Sequence, residues 1–578
     1  MKKLFLLAFS ALTIMGCSES SSLAGGDVEA SKTDSVNKKD GVNVLSKAIV
    51  SDPENDPYSV ENMSKAMRRQ VLAKSASIDS QEVEQMSLEP NFLYVRFLAE
   101  GKKGAAELKA YDTSLVLFKH PLDYKPIPKP VIYIDPSLPD SIIPLFATVP
   151  VDYKFGPTKY EVLKKLFLVE PLDGDCDDEE DCSDDADSTT TVNYLAKSAA
   201  KKSSGTVLKK LSNMGVSLRD IEWESLSMTG NLNDRFASQT LKAGDSPILG
   251  WSLFGGGKKL GGQLKFKDDQ LGDQPLVGVR VTGGYSYYWR EAHTDKDGKF
   301  RLPEKWTFKI DFEANFDSQE FLLEDGHSSY GEDLEIEHNN YKSDWNETFT
   351  GDKAKWCAVW TAAYQYWYGE RYGLKKPRTN TASNMSLDIE VYYKDNSDFK
   401  NEAKNAGINY NDGVYGVYVI DSDDRILIRA YNRPSNGLYR TTIHEIAHFS
   451  LSVNQKSSIF NSEKENYRDT YTRGIEWYFT NRRYCSSDKN AVCGISYSKG
   501  YIGLIQDLID NNGTYAKGSG SDKVSGFKIT DVENAFLASK NLDEVKSYIL
   551  KNLPSGKDGR SYTEKDLNAL FDYWKGWL

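Results

Sequence analysis

Histidine is scarce in this chain, six in 578 residues, and cysteine is equally scarce. No set of cysteines has the spacing of a zinc knuckle, which excludes a cysteine-built metal module. Beyond the first seventeen residues, no segment is long and apolar enough to cross a bilayer. Cations are outnumbered, with 72 Lys and Arg against 84 Asp and Glu. The net charge of −12 argues against a phosphate-backbone partner, which needs clustered Lys and Arg, so no nucleic acid is expected. Aromatics are plentiful: 34 Tyr and 11 Trp suit interlocking cores, with a surplus that an exposed sugar- or peptide-binding strip could use. At ordinary domain sizes the chain has room for about three or four domains.

The first seventeen residues read as an export signal. Lys2 and Lys3 precede a short apolar run from Leu4 to Ile14, and Ile14-Met15-Gly16-Cys17 ends it with a small residue before a cysteine. That ending resembles the lipobox of bacterial lipoproteins, which implies lipidation at Cys17 and an exported, membrane-anchored protein. With Ser18 rather than Asp after the cysteine, the resemblance to lipoprotein sorting implies an outer membrane or cell surface. An oxidising compartment makes disulfides expected between close cysteines, Cys176 with Cys182 and Cys485 with Cys493. Cys357, among Trp356, Ala358, Val359 and Trp360, reads as a buried small apolar residue.

The pattern along the chain predicts a multidomain α+β protein. Residues 18–60 are Ser-, Asp-, Lys- and Asn-rich and read as a flexible tether. Residues 61–172 read as a small α+β domain, with strands at Phe92 to Leu98 and Ser114 to Phe118 and an amphipathic helix at Lys159 to Leu168. Residues 173–205 begin with an acidic run and continue Ser-, Lys- and Ala-rich, as a solvated linker does, and 206–257 read as a helical connector. In residues 258–338, Gly262 to Phe266 and Pro275 to Val281 alternate as strands, and Asp297-Gly298 turns the chain into another. This spacing resembles the carboxypeptidase regulatory-like β-sandwich, a transthyretin-like module. Residues 339–578 contain a helical stripe from Ala354 to Gly373, a strand at Ile389 to Tyr393, a hairpin over 415–430, and helices from about 438 onward.

One of those helices carries His444-Glu445-Ile446-Ala447-His448. Positions i and i+4 share a helix face, so both imidazoles can address one cation, and Glu445 points beside them. Two neutral imidazoles suit Zn2+, and the glutamate is placed to take a proton from water. The apolar neighbours Ile443, Ile446, Ala447 and Phe449 bury the helix, where two histidines and a glutamate without a metal would be costly.

The motif and the hairpin before it resemble the zincin metallopeptidases. No histidine follows His448, so the resemblance is to the gluzincins, whose third ligand is a glutamate on a following helix. It implies Glu476 as that ligand, with Asp469 the rival, because Asp469, Arg473 and Glu476 share one helical stripe. Glu463 and Glu465 are weaker candidates. Tyr471, Tyr484, Tyr497, Tyr501 or an arginine must stabilise the oxyanion. The expected protein is a monomeric, lipid-anchored zinc metallopeptidase acting on protein or peptide, with Glu445 as general base. The alternatives are a noncatalytic adhesin or glycan-binding lipoprotein of zincin fold, and a zinc hydrolase of a cell-wall or glycan-linked amide.

Overall fold

A computed structural model describes residues 36–39, 42–45, 55–74, 79–122, 131–169, 207–231, 258–328, 333–377, 386–407, 414–420, 424–456, 465–485 and 497–578, apart from isolated positions within these stretches. The acidic run and Cys17, Cys176, Cys182 and Cys493 lie outside the described residues. The chain is mixed α+β, with twelve helices and eighteen strands among the described residues.

Strands β1 (Val36–Lys39) and β2 (Val42–Leu45) form an antiparallel hairpin inside the stretch expected to be a tether. The signal for it was present, since Asp40-Gly41 between two Val-containing runs is a hairpin sequence. Helices α1 (Val60–Lys74) and α2 (Ser80–Glu84) lead to β3 (Phe92–Glu100), and α3 (Gly101–Tyr111) leads to β4 (Val131–Tyr133), which joins β2 in parallel. β5 (Ile142–Pro150) and β6 (Lys159–Leu166) flank β3, both antiparallel to it.

β6 corrects the helix expected at Lys159 to Leu168. It is an edge strand with most side chains exposed, so neither face imposes alternation and the sequence reads equally well at helical period. Ser114 to Phe118 forms no strand; Phe118 makes an isolated bridge to Phe146. Helix α4 (Leu218–Met228), in the expected connector, belongs to this first core: Ile221 packs with Met63, Met67 and Val71 of α1.

Nine strands follow: β7 (Lys258–Asp268), β8 (Gly272–Pro275), β9 (Arg280–Tyr285), β10 (Tyr288–His293), β11 (Lys299–Trp306), β12 (Ile310–Asn315), β13 (Phe321–Asp325), β14 (Glu335–Tyr341) and β15 (Trp345–Phe349). Two four-stranded sheets result, ordered β10-β9-β12-β14 and β11-β7-β15 with β8 also on β7. They pack face to face through Phe300 and Trp345 of one sheet and Phe312 of the other, whose ring centroid lies 5.9 Å from each. The run Pro275 to Val281 is not one strand. Gly278, at φ 74°, turns the chain, and a Cβ there would stand 1.8 Å from the ring of Tyr364.

The division expected at 338/339 is crossed in both directions. β15 lies beyond it yet pairs in parallel with β7, whereas β13 lies before it and pairs in parallel with β16 (Leu387–Tyr392) of the next sheet. That sheet is ordered β13-β16-β18-β17, with β17 (Gly416–Val419) an antiparallel edge strand on β18 (Arg425–Arg429). Helix α5 (Gly351–Trp367) precedes β16 and α6 (Ser397–Asn405) follows it. After the sheet come α7 (Ser435–Asn454), α8 (Glu465–Tyr484), α9 (Leu504–Ile509), α10 (Ile529–Leu537), α11 (Leu542–Asn552) and α12 (Glu564–Lys575). One continuous aromatic-rich core runs from Tyr58 to Trp574 and takes in both the sandwich and the helices. No helix among the described residues is long and apolar enough to cross a membrane.

Candidate metal centre

Helix α7 carries His444, Glu445 and His448 and is buried almost all round, from Ser435 to Leu451. That suits a helix enclosed by the sheet on one side and by α5 and α8 on others. Its first turn is capped from the sandwich. The Ser435 N–H donates to Asp269 Oδ2 at 2.7 Å, and the Ser435 hydroxyl lies 3.0 Å from the same oxygen. Asp268, one residue earlier, accepts from the Tyr484 hydroxyl at 2.9 Å. The β7–β8 turn therefore holds the start of α7 and the end of α8, the two helices that supply the site.

On α7 and α8 three donor groups converge. His444, His448 and Asp469 each offer an atom within 4.8 Å of the others. His448 Nε2 is 3.5 Å from Asp469 Oδ1, and Thr472 Oγ1 is 3.2 Å from His444 Nε2 and 3.4 Å from His448 Nε2. Glu476 is not in that group. Its Oε2 lies 2.9 Å from the other ring nitrogen of His444, Nδ1, while its carboxylate also binds Arg440 at 3.0 Å and Arg473 at 2.8 Å. Of the two candidates for a third ligand, Asp469 joins the imidazoles, and Glu476 stands behind one of them. Glu463 is outside the described residues, and Glu465 begins α8.

Burial sets the electrostatics. It pushes the Glu445 carboxyl up to about 7; the nearby His444 works against this, and Asp469 and Glu476 add to it. The Tyr418 backbone on β17 also works against that rise. For Glu476, burial opposes ionisation, but Arg473, His444 and Arg440 hold the carboxyl below its usual range. Burial likewise opposes charge on His444, yet its hydrogen bond to Glu476 and the surrounding carboxylates raise its pKa. His448 is driven well below the ordinary imidazole value by burial, then by His444 and Arg468. A proton or a cation on His444 Nε2 would satisfy the same surplus of negative charge.

Among the tyrosines, Tyr501 reaches the site. Its ring centroid is 6.1 Å from that of His444, and the Arg473 guanidinium sits 4.5 Å over its ring. Tyr484 is committed to Asp268, Tyr497 to Gln506, and Tyr471 is buried beside Glu533 and Phe536. Gly416 of β17 was not singled out in the sequence. A Cβ there would stand 2.7 Å from Glu445 Oε1 and 2.6 Å from Thr441 Cγ2. Arg440 and Thr472 were also missed, although Arg440 lies four residues before His444 and so shares its helix face.

A second His–Asp grouping, His327 with Asp395 and Asp398, is already satisfied: Nδ1 lies 2.7 Å from Asp398 and Nε2 accepts the Lys394 N–H at 2.9 Å. Cys357 is a buried free thiol, and Cys485 is disulfide-bonded. No protein-family model matches the chain, and comparison with curated proteins and with solved structures gives no match.

Proposed function

We propose that the chain is a zinc-dependent peptidase in which His444, His448 and Asp469 hold the metal and Glu445 is the general base. One observation carries the reading. Glu476 accepts on the Nδ1 side of His444, which fixes the ring and leaves Nε2 to face the group formed with His448 and Asp469. Two imidazoles and one carboxylate are a donor set that suits zinc and leaves a fourth position open. Bound there, zinc would lower the pKa of water to about 7 and polarise a substrate carbonyl.

The chain's own residues account for the rest. Glu445, buried beside the histidines, is placed to take a proton from water and return it to the leaving amine. The Tyr501 hydroxyl, with Arg473 against its ring, is the donor for developing negative charge on the carbonyl oxygen. A peptide substrate is favoured because β17, packed against α7, is a sheet edge on which an extended chain can pair. A lipid anchor at Cys17 belongs to the same reading. Cys17→Ala should release the protein from membranes, and retention after a salt wash would refute the anchor.

Glu445→Gln tests the chemistry. It should keep stoichiometric zinc and lose at least about a hundredfold in casein hydrolysis, the low end for a positioned base. Activity equal to the parent's would overturn the mechanism, and absence of zinc from the parent protein would overturn the class.

A further inference from the structure

Three aspartates converge away from the histidines, where α9 ends and the chain loops back before α10. Asp507, Asp510 and Asp522 each present a carboxylate oxygen within 4.8 Å of the others, and Asp507 and Asp522 are buried at 0% and 6% exposure. No described ion pair involves any of them, so this cluster of three carboxyl groups has no lysine or arginine partner among the described residues.

The hydrogen bonds do not account for every oxygen. Asp507 accepts from the Ala516 N–H and the Trp574 indole N–H, both at 2.8 Å. Asp510 Oδ2 accepts from Asn512 Nδ2 at 2.8 Å and Gln506 Nε2 at 3.0 Å. Asp522 Oδ1 accepts the Val524 N–H at 2.9 Å, but its Oδ2 is buried with no hydrogen-bond partner. Such an orphan acceptor inside a cluster of carboxylates is costly unless a proton or a cation meets it. Burial also pushes the carboxyls of Asp507 and Asp522 up, to about 8 and about 6, as expected of acids that lack a counter-charge.

We propose that Asp507, Asp510 and Asp522 form a calcium site separate from the His444–His448–Asp469 centre. Only oxygen donors are present, with no imidazole or thiolate in the group, which favours a hard cation over zinc. Calcium rather than magnesium is favoured because the ligands come from a helix and an irregular loop. Calcium accepts six to eight oxygens in flexible geometry, whereas magnesium demands a near-ideal octahedron. The loop itself is short of regular pairing: the Asp522 N–H donates to the Gly513 carbonyl at 3.1 Å, and Thr514 and Ser521 form a single bridge. A cation here would bind α9 to the 510–522 loop and, through Asp507 and Trp574, to α12. α9 also packs on α8, where a Cβ at Gly474 would stand 2.5 Å from Ile505, so the site would brace the segment that carries Tyr501.

The test uses the full chain with its zinc content measured and held constant. Calcium chloride titrated into calcium-depleted protein should bind with a stoichiometry of one at this site and raise Tm by a few degrees, with magnesium giving a smaller shift. Asp522→Asn, which keeps the shape and removes the charge, should abolish the shift. Terbium in place of calcium should show emission excited through Trp574, and Trp574→Phe should lower that emission. Neither Asp522→Asn nor Trp574→Phe should affect any calcium taken up by the acidic run at 173–187, which separates the two. Calcium binding and Tm shifts identical in the parent and Asp522→Asn would overturn the proposal, as would no calcium-dependent shift in the parent. If Asp522→Asn does not fold, absence of tryptophan-sensitised terbium emission in the parent overturns it.

Discussion

Asp269, in the turn between two sandwich strands, caps the helix that bears His444 by accepting the Ser435 N–H at 2.7 Å. The helix has no capping side chain of its own, because Pro434 occupies the N-cap position. The sandwich therefore supplies the side-chain acceptor that a Ser, Thr or Asp at Pro434 would otherwise provide.

Asp269→Ala should lower stability by about 1 kcal/mol, the usual cost of a lost N-cap, and shift Tm accordingly. Because α7 starts at that contact, zinc affinity should fall with it. An unchanged Tm would show that Ser435 finds another acceptor and that the sandwich does not hold the helix.

The third ligand is decided by comparing two acids on one helix. Asp469→Ala should reduce zinc affinity more than Glu476→Gln, which removes a support behind His444 and should cost about 10- to 100-fold. Zinc titration against a competing chelator reads both. A larger loss for Glu476→Gln would return the ligand role to the glutamate.

Gly416→Ala inserts a methyl group where Glu445 Oε1 and Thr441 Cγ2 already stand at 2.7 and 2.6 Å from its position. The edge strand cannot yield without breaking its ladder on Ile428, so the glutamate must move. Zinc should be retained while kcat falls by about a hundredfold, the cost of misplacing a catalytic group by about 1 Å. Equal kcat would show that the carboxylate accommodates the methyl group.

Burial raises the Cys357 thiol well above its ordinary pKa, so it stays protonated and hidden at mildly alkaline pH. Iodoacetamide at pH 8 should leave it unlabelled in the native protein and label it once guanidinium unfolds the chain. Nonreducing peptide maps should link Cys485 to Cys493. A free Cys485 thiol would contradict that pairing.

Local pattern was sufficient where one residue type at one spacing dictates geometry. His444 and His448, four apart on an apolar helix, had to share a face; Asp297-Gly298 had to turn; and the 415–430 hairpin was readable from two apolar runs around Ser422-Asp423-Asp424. Local pattern failed at β6, whose exposed faces impose no period, and at the 338/339 division, because β13 and β15 pair with strands distant in sequence. The choice between Asp469 and Glu476 could not be made from sequence either. Both lie on one stripe of α8, and only the rotation and docking of that helix against α7 decide which carboxylate meets the Nε2 atoms and which meets Nδ1. The pairing of Asp269 with Ser435 spans 166 residues. Spacing along the chain determines what can share a face of one element; which faces meet is decided by the packing of the whole core.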